Sequence, residues 1–344
     1  MTNAAFAVRD LLRRVGPSEI FARYVHDDLT GDVLSLDEYG QRPSAARGQN
    51  LLIYHASIGE PEVLKFLFER RERLVLVYHN ITPARYFATL DPAFAELLAG
   101  GRVELAALRE RVDLALAVSA YNAAELEALG YTDVRLSPLM VETDRLRQLQ
   151  PSPTTVAHLE KYLHGPLILF VGQLLPHKRP DLLLQAYHVL VTYLLPEAYL
   201  ALVGPCTSDR YRWVLETYVR QLNLDRAWLP GRVPDGELAA FFRAASVFMT
   251  LSEHEGVCVP LLEAMAFDLP VVARDFAAIP QTLGGAGLLL PADDDPFLIA
   301  EALARLLTDE VLRKELVTAG ARRLADFDPE AARATFLAHL ADVA

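Results

Sequence analysis

The fold is decided by one stretch of the chain, Val247-Phe248-Met249-Thr250-Leu251-Ser252-Glu253-His254-Glu255-Gly256-Val257-Cys258-Val259-Pro260-Leu261-Leu262-Glu263-Ala264-Met265-Ala266. Its apolar beginning predicts a buried strand, and Pro260 suits the first position of a helix that follows. Glu255 then lies in the loop that enters this helix, and Glu263 lies about two turns inside it. A second apolar run, Pro270–Ala273, comes soon after the helix, so the stretch predicts a strand–helix–strand unit of an α/β protein.

The same stretch also predicts a binding site. The backbone N–H groups of Val257, Cys258 and Val259 would lie at the N-terminus of the helix, where they suit an anion such as a diphosphate. Glu255 and Glu263 would flank that anion as acceptors for sugar hydroxyl groups. The alternative is a helix cap and a solvated acidic face, and the strands on both sides of the helix favour the binding site.

Short apolar runs alternate with helical patterns along the whole chain, which is typical of a doubly wound α/β protein. The predicted strands are Glu19–Val25, Asn50–His55, Arg73–His79, Val112–Ser119, Asp133–Pro138, Leu167–Val171, Ala198–Val203, Val247–Leu251, Pro270–Ala273 and Gly287–Leu290. The predicted helices are Asn3–Arg14, Pro61–Arg70, Asp91–Leu98, Asn122–Leu129, Thr154–Leu163, Gly236–Ala245 and Pro329–Leu340. Residues 26–47 have no periodicity, so we predict a loop there.

The pattern breaks after the fifth predicted strand, which indicates two domains. We predict a first domain at 1–145, a linker at 146–165, a second domain at 166–325 and a C-terminal helix within 326–344. A chain of 344 residues is long enough for two cores of ordinary size.

Composition and charge exclude several classes of protein. The net charge of −12 argues against a nucleic-acid-binding protein, which usually carries a basic surface. No apolar run is long enough to span a bilayer, and we predict neither a signal peptide nor stable membrane anchoring. Cys206 and Cys258 lie in separate segments, which indicates no disulfide framework and predicts a cytoplasmic protein.

The segment from Glu255 to Glu263 resembles the Glu-x7-Glu motif of retaining glycosyltransferases with the GT-B fold, of the glycosyltransferase family 4 type. The resemblance implies two Rossmann-like domains facing across a cleft, with the helix Pro329–Leu340 returning toward the N-terminal domain. One departure lies at the beginning, where a helix near Asn3 stands in place of the usual first strand and its glycine loop. We therefore expect the N-terminal domain to lack that strand.

The loop that begins at Gly172 resembles the family's Gly-Arg…Lys loop, whose two cations hold the donor diphosphate. Gly172 and Lys178 match that loop, whereas Gln173 stands where an arginine is usual. Because glutamine carries no charge, the resemblance implies a cation from elsewhere, with Arg179 and Arg232 as candidates.

The resemblance also assigns the remaining donor contacts. Glu263 would bind the ribose hydroxyls and Glu255 a hydroxyl of the donor sugar, while the amides of Val257, Cys258 and Val259 would hold the diphosphate and Gly256 would belong to the same donor site. The dipeptide Arg232-Val233 belongs to a turn that binds the base in similar enzymes, where uracil is commonest. Cys258 stands where glycine is frequent, so its Cβ restricts the backbone there.

A histidine recurs after the corresponding strand of similar enzymes, where it contacts the donor sugar, and His79 matches it. The resemblance thus implies His79, Lys178 and Glu255 as the catalytic groups. The candidates on the acceptor side are His55, Ser119 and Tyr121. Each has a structural alternative, since a histidine at a strand end is often a satisfied buried residue and Ser119 also suits a helix N-cap.

Together these features predict a retaining hexosyltransferase that moves a sugar from a nucleotide diphosphate donor, with UDP preferred, to an oligosaccharide, glycolipid or natural-product acceptor. Retention implies that the acceptor attacks the sugar from the same face that the phosphate leaves, without a protein nucleophile. We predict no cofactor and no metal, because cations and the helix N-terminus would neutralise the diphosphate. The Ala-, Leu- and Arg-rich usage fits an actinomycete enzyme of avilamycin-type antibiotic biosynthesis, and surface-polysaccharide biosynthesis fits equally.

Two alternatives remain open. A non-catalytic nucleotide-sugar-binding protein, in which Gln173 and Cys258 reflect lost activity, would bind nucleotide without turnover. A sugar-nucleotide epimerase with the GT-B fold would convert its donor without any acceptor.

Overall fold

The structure of the protein, a computed structural model, describes residues 2–42 and 50–343. Its contacts divide the chain into two compact units, one formed by Met1–Met140 with Asp328–Ala344 and the other by Val141–Phe327. Residues 146–165, predicted as a linker, belong to the second unit and include helical turns.

Every strand in the described residues runs parallel to its neighbours, which confirms the predicted α/β class. The strands are β1 (Ile20–Ala22), β2 (Val33–Ser35), β3 (Leu51–Ala56), β4 (Arg73–Tyr78), β5 (Leu114–Ala117), β6 (Val134–Leu136), β7 (Leu167–Val171), β8 (Tyr199–Val203), β9 (Ala227–Gly231), β10 (Val247–Thr250), β11 (Val271–Arg274) and β12 (Leu288–Leu290). The first unit has a sheet of order β3-β4-β5-β6 and a separate β1-β2 pair, and the second has a sheet of order β12-β11-β10-β7-β8-β9.

Helices connect the strands and cover the sheets. They are α1 (Thr2–Leu12), α2 (Pro61–Phe68), α3 (Pro92–Leu108), α4 (Ala120–Ala128), α5 (Arg145–Gln148), α6 (Pro153–Tyr162), α7 (Pro180–Tyr193), α8 (Asp209–Gln221), α9 (Asp235–Ala244), α10 (Val259–Ala266), α11 (Ile279–Leu283), α12 (Pro296–Thr308), α13 (Glu310–Leu324) and α14 (Pro329–Ala341). Several begin at a proline, whose fixed φ suits the first helical position. Ser152 and Ser208 cap their helices by accepting a backbone N–H.

Several sequence predictions differ from the structure. The loop predicted at 26–47 is wrong in part, because 33–35 form β2 beside β1, while residues 43–47 lie outside the described residues. Strand β9 was not predicted, since it contains Pro230, which a strand tolerates at the edge of a sheet. Helix α3 continues ten residues beyond its predicted end at Leu98, through Gly101. A Cβ on Gly101 would lie 2.5 Å from the backbone nitrogen of Gly59, so a tertiary contact uses the glycine.

The core of the second unit lies on both faces of its sheet. All residues of β8, β10 and β11 are buried, and helices α7 and α12 pack their leucines against one face. Burial of each leucine stabilises the folded state by about 1.5–3 kcal/mol relative to exposure. Because both faces of these strands are buried, their sequences are continuous apolar runs.

The strand order of this sheet creates a crevice. The chain runs from β7 through β8 to β9 on one side and then returns to β10, β11 and β12 on the other. The loops after β7 and β10 therefore leave the sheet in opposite directions at their carboxyl ends, and ligands of open parallel sheets bind at such a switch point.

Candidate active site

Two predicted site residues meet at the switch point of the second unit. The Lys178 ammonium donates a hydrogen bond to Oε1 of Glu255, which joins the loop after β7 to the loop after β10. Their side chains are only 18% and 11% exposed. The backbone strengthens this connection, because the amide of Glu253 donates to the carbonyl of His177 at 2.8 Å. A cation and a carboxylate thus face each other where a ligand would enter.

Cys258 shapes the N-terminus of α10. It is the N-cap residue and has φ 68° and ψ 64°, in the left-handed region that costs a non-glycine residue about 1–2 kcal/mol. The Cys258 thiol is buried, and this burial raises the thiol pKa. The neighbouring Glu255 carboxylate raises it further. The carbonyl of Val257 is held by the Thr282 hydroxyl at 2.7 Å. The loop from Glu255 to Val259 is therefore fixed, and the first turn of α10 carries N–H groups without helical acceptors.

Glu263 lies inside α10, where the sequence predicted it. In the described residues its carboxylate has no hydrogen-bond partner, although it is largely buried. Burial raises its pKa to about 7, with Arg145 lowering and Asp235 raising it more weakly. A buried, unpartnered carboxylate can accept hydrogen bonds from the hydroxyl groups of a ligand.

Gly172 and Gln173 follow β7 directly. Gln173 is exposed, and the carbonyl of Gly172 lies against Gly204, the residue after β8. Gly204 has φ 146°, and a Cβ on it would lie 1.9 Å from the Gly172 oxygen.

We expect Gly204→Ala to displace the loop that carries Lys178. The clash and the positive φ should lower the Tm by about 5–10 °C. Differential scanning calorimetry measures this, with Gly100→Ala as the control, because a Cβ at Gly100 meets nothing within 4 Å. Equal Tm values for the two variants would contradict the predicted clash.

Arg179 and Arg232, the candidates for the cation that is missing at Gln173, differ in their surroundings. All the guanidinium nitrogens of Arg179 bond to carboxylates, those of Asp181, Glu253 and Asp294. Arg179 therefore connects loops and presents no uncommitted charge to a phosphate. Arg232 follows β9 and is exposed, and within residues 2–42 and 50–343 its side chain makes no hydrogen bond or ion pair. It is followed by the half-buried Val233.

In the first unit, His55 and His79 form a pair at the carboxyl ends of β3 and β4. Nδ1 of His55 lies 2.8 Å from Nε2 of His79, and the rings stack with their centroids 5.1 Å apart. Burial lowers the pKa of His55 to about 4, and burial together with His55 lowers that of His79 to about 3. Both rings are neutral near pH 7, so one nitrogen donates and the other accepts.

This pair predicts a loss of stability on acidification. In the unfolded chain both histidines take up protons near pH 6.5, whereas in the folded protein they stay neutral down to about pH 4. Stability is therefore lost as the pH falls from 6.5 toward 4, by about 1–2 kcal/mol per histidine at pH 5. The fall in Tm between pH 7.5 and pH 5 should be smaller in the variant His55→Gln, His79→Gln than in the wild type. His158→Gln, at an exposed histidine, is the control, and equal falls in all three proteins would contradict the expectation.

The other acceptor-side candidates lie at the start of α4. The Ser119 hydroxyl accepts the amide of Asn122 at 3.3 Å, so Ser119 is a helix N-cap. Tyr121 is half-buried in the first turn, and burial raises its pKa.

Three charged residues of the site were not predicted from the sequence. Arg274 ends β11, is 1% exposed, and bonds to Asp294, while Glu253 bonds to Arg179. The detectable signal was Arg274 itself, a charge at the end of a continuous apolar run.

Comparisons with known proteins find a family match and related sequences. Residues 153–323 match the family Glycosyl transferases group 1. The chain is 32% identical over 209 residues to a phosphatidyl-myo-inositol mannosyltransferase of Mycobacterium leprae, covering 59% of this chain and 52% of that protein. It is also 32% identical over 158 residues to the O-antigen chain mannosyltransferase B of Escherichia coli, covering 44% and 39%. The matches thus span about half or less of these relatives.

Solved structures share the fold. The sucrose-phosphate synthase of Thermosynechococcus elongatus superposes with a TM-score of 0.76 at 21% identity, covering 98% of this chain and 92% of that one. Anabaena HepE, in complex with UDP and glucose, gives 0.74 at 15% identity, covering 98% and 96%. The α/β fold with parallel sheets is therefore the GT-B fold. Among the described residues, no helix has the length and apolar character needed to cross a membrane.

Proposed function

We propose, from the match of residues 153–323 to the family Glycosyl transferases group 1, that the protein moves a sugar from a nucleotide diphosphate donor to a carbohydrate acceptor. One observation carries the proposal. The Lys178–Glu255 pair stands beside the N-terminus of the helix that carries the unpartnered Glu263, at the switch point of the sheet. A cation, helix N–H groups and two carboxylates match the charges and hydroxyl groups of a nucleotide sugar.

The donor would bind in the second unit. Lys178 and the first turn of α10 hold the diphosphate, Glu263 accepts from the ribose hydroxyls, and Glu255 accepts from a hydroxyl of the sugar. The turn Gly231–Val233 holds the base through its backbone, with Arg232 as the exposed cation nearest to it in sequence. UDP is the proposed nucleotide, and the complexes of HepE with UDP and with UDP-glucose support it.

The proposed reaction retains the anomeric configuration. The bond between the anomeric carbon and the diphosphate oxygen breaks, the acceptor oxygen bonds to the same face, and the acceptor proton passes to the departing phosphate. The chief task of the protein is then to stabilise the leaving diphosphate, which Lys178 and the helix N-terminus do without a metal ion. His79 is proposed to contact the donor sugar, with His55 fixing its tautomer through their hydrogen bond.

The acceptor class proposed is an oligosaccharide, a glycolipid or a natural product. The relatives include a mannosyltransferase named for an O-antigen chain and one named for phosphatidyl-myo-inositol, which supports this class. Antibiotic biosynthesis of the avilamycin type and surface-polysaccharide biosynthesis both stay within this class, and the protein is proposed to act in the cytoplasm.

Titration calorimetry with UDP, GDP, dTDP and ADP tests the donor site, with and without EDTA. We expect micromolar binding of UDP that EDTA does not change and that Glu263→Ala weakens. Binding of none of the four would contradict the proposal. EDTA-sensitive binding would contradict metal independence only.

Turnover with UDP-sugars then separates transfer from its alternatives. We expect UDP release to depend on an added carbohydrate acceptor. Binding without turnover across acceptors would favour a nucleotide-sugar-binding protein, and conversion of the donor without acceptor would favour an epimerase.

A further inference from the structure

Four charged side chains near the Lys178–Glu255 pair in sequence or fold contact one another: Arg179, Glu253, Arg274 and Asp294. We call them the ion cluster. All four residues belong to the second unit: Arg179 and Glu253 lie in the loops after β7 and β10, Arg274 ends β11, and Asp294 precedes α12. Arg179 also pairs with Asp181 at 3.0 Å, so the two arginines of the cluster face three carboxylates.

Arg274 is its buried centre. It is 1% exposed, and its guanidinium donates to Asp294 Oδ1 at 2.6 Å and to the carbonyl of Leu251 at 3.3 Å. Glu253 Oε1 lies 3.8 Å from Arg274 Nη1, and the ring of Phe276 lies 4.7 Å below the guanidinium. The buried Nε of Arg274 has no hydrogen-bond partner among the described residues, so the charge is compensated through Nη1 and Nη2. The bonds of these two nitrogens fix the end of β10 and the segment before α12.

Arg179 completes the cluster from the other loop. It donates to Glu253 at 2.5 Å and to Asp294 at 2.8 Å. Its backbone is left-handed, with φ 53°, a conformation unfavourable for arginine. The carboxylates hold Arg179 in that conformation, and Arg179 directly follows Lys178 in the chain.

The ion cluster therefore holds the two loops that carry Lys178 and Glu255. Glu253 stands two residues before Glu255, and Arg179 stands one residue after Lys178. Among the described residues, the Lys178 ammonium bonds to the Glu255 carboxylate, and a diphosphate that binds Lys178 would replace this bond. The hydrogen bond from the Glu253 amide to the His177 carbonyl still joins the two loops through the backbone, and the ion cluster adds the side-chain connection between them.

We propose that the ion cluster is a positioning device that holds Lys178 in place for the diphosphate of the donor. The inference rests on the proposed function, because it specifies how the donor site is held. None of the four residues needs to touch the nucleotide. Positioning matters here because a small displacement of a charged group from its ligand sharply weakens a charge-assisted contact.

Calorimetry with UDP and UMP tests the proposal in Arg274→Met and Asp294→Asn. UMP lacks the β-phosphate, and its base and ribose would contact Gly231–Val233 and Glu263, outside the cluster. We expect the Kd of UDP to rise at least fivefold in both variants and the Kd of UMP to rise less than twofold. A merely structural role would lower the Tm and change both Kd values by the same factor.

Asp326→Asn is the matched control. Asp326 is 61% exposed and bonds to Arg323 at 2.6 Å, whereas Asp294 is 56% exposed and bonds to Arg274 at the same distance. We expect no change in either Kd. An unchanged ratio of the two Kd values in Asp294→Asn and Arg274→Met, with the wild type binding UDP, overturns this inference alone. Failure of the wild type to bind any of the four nucleoside diphosphates overturns the proposed function and this inference together.

Discussion

Lys178→Ala should reduce kcat about 100- to 1,000-fold, the loss that follows removal of one preorganised group from a developing charge. Lys178 is proposed to stabilise the departing diphosphate, and that charge develops only as the bond to the sugar breaks. The Kd of the nucleotide sugar should rise much less, because base, ribose and helix contacts remain. The measurement is UDP release from UDP-glucose, or from whichever nucleotide sugar the wild type turns over, together with calorimetry on UDP.

Lys314→Ala is the control for this variant. Lys314 also pairs with a glutamate of the second unit, Glu310 at 2.7 Å, but it is 74% exposed and lies in α13. Its replacement should leave kcat unchanged. Lys178→Ala with a near-normal kcat would remove Lys178 from the mechanism, whatever its effect on binding.

The same substitution has a second, separable effect on stability. Glu255 is 11% exposed, so loss of Lys178 leaves a largely buried carboxylate without its cation. Removing one partner of such a pair is costlier than removing both. The Tm should therefore fall in Lys178→Ala and recover in Lys178→Ala, Glu255→Gln, while kcat stays low in both. Recovery of kcat in the double variant would contradict the proposed role of Lys178.

The sequence predicted the central strands of the second unit better than the edge strand β9 or the short strand β2, for physical reasons. The strands β7, β8, β10 and β11 are buried on both faces and therefore appear as continuous apolar runs. The edge strand β9 contains an exposed proline and does not have that pattern. Strand β2 was missed because three residues within a segment of helical turns give no periodicity to detect.

The residues of the site also differ in how far the sequence could predict them. Glu255 and Glu263 could be found from their spacing, since one loop and one helix determine their positions. The contacts of Arg179 with Glu253 and Asp294 could not, because 74 and 115 residues separate the partners. Only the order of the strands brings those segments together, and the sequence does not specify that order. The same lack of long-range information made Arg179 a candidate for the phosphate contact.

Nucleotide affinity should depend on pH through Glu263. The pKa of Glu263 is about 7, so the carboxylate that would accept the ribose hydroxyls is mostly protonated at pH 6. If binding needs the ionised form, the Kd of UDP should be about tenfold higher at pH 6 than at pH 8. The phosphate groups of UDP titrate as well, and Glu263→Gln isolates their share. That variant should bind more weakly than the wild type at pH 8 and show a smaller change between the two pH values.

The stability of the nucleotide-free protein should change with pH in the opposite direction to its affinity for UDP, again through Glu263. A carboxyl whose folded pKa lies above its unfolded value of 4.5 destabilises the folded state progressively as the pH rises from 4.5 through 7. In the absence of nucleotide, Glu263→Gln should therefore raise the Tm above pH 7, and this gain should shrink toward pH 5. The buried carboxylate thus costs the free protein stability in the pH range where nucleotide binding uses it. Glu263→Gln that bound UDP as tightly as the wild type at pH 8, and with the same pH dependence, would contradict the ribose contact.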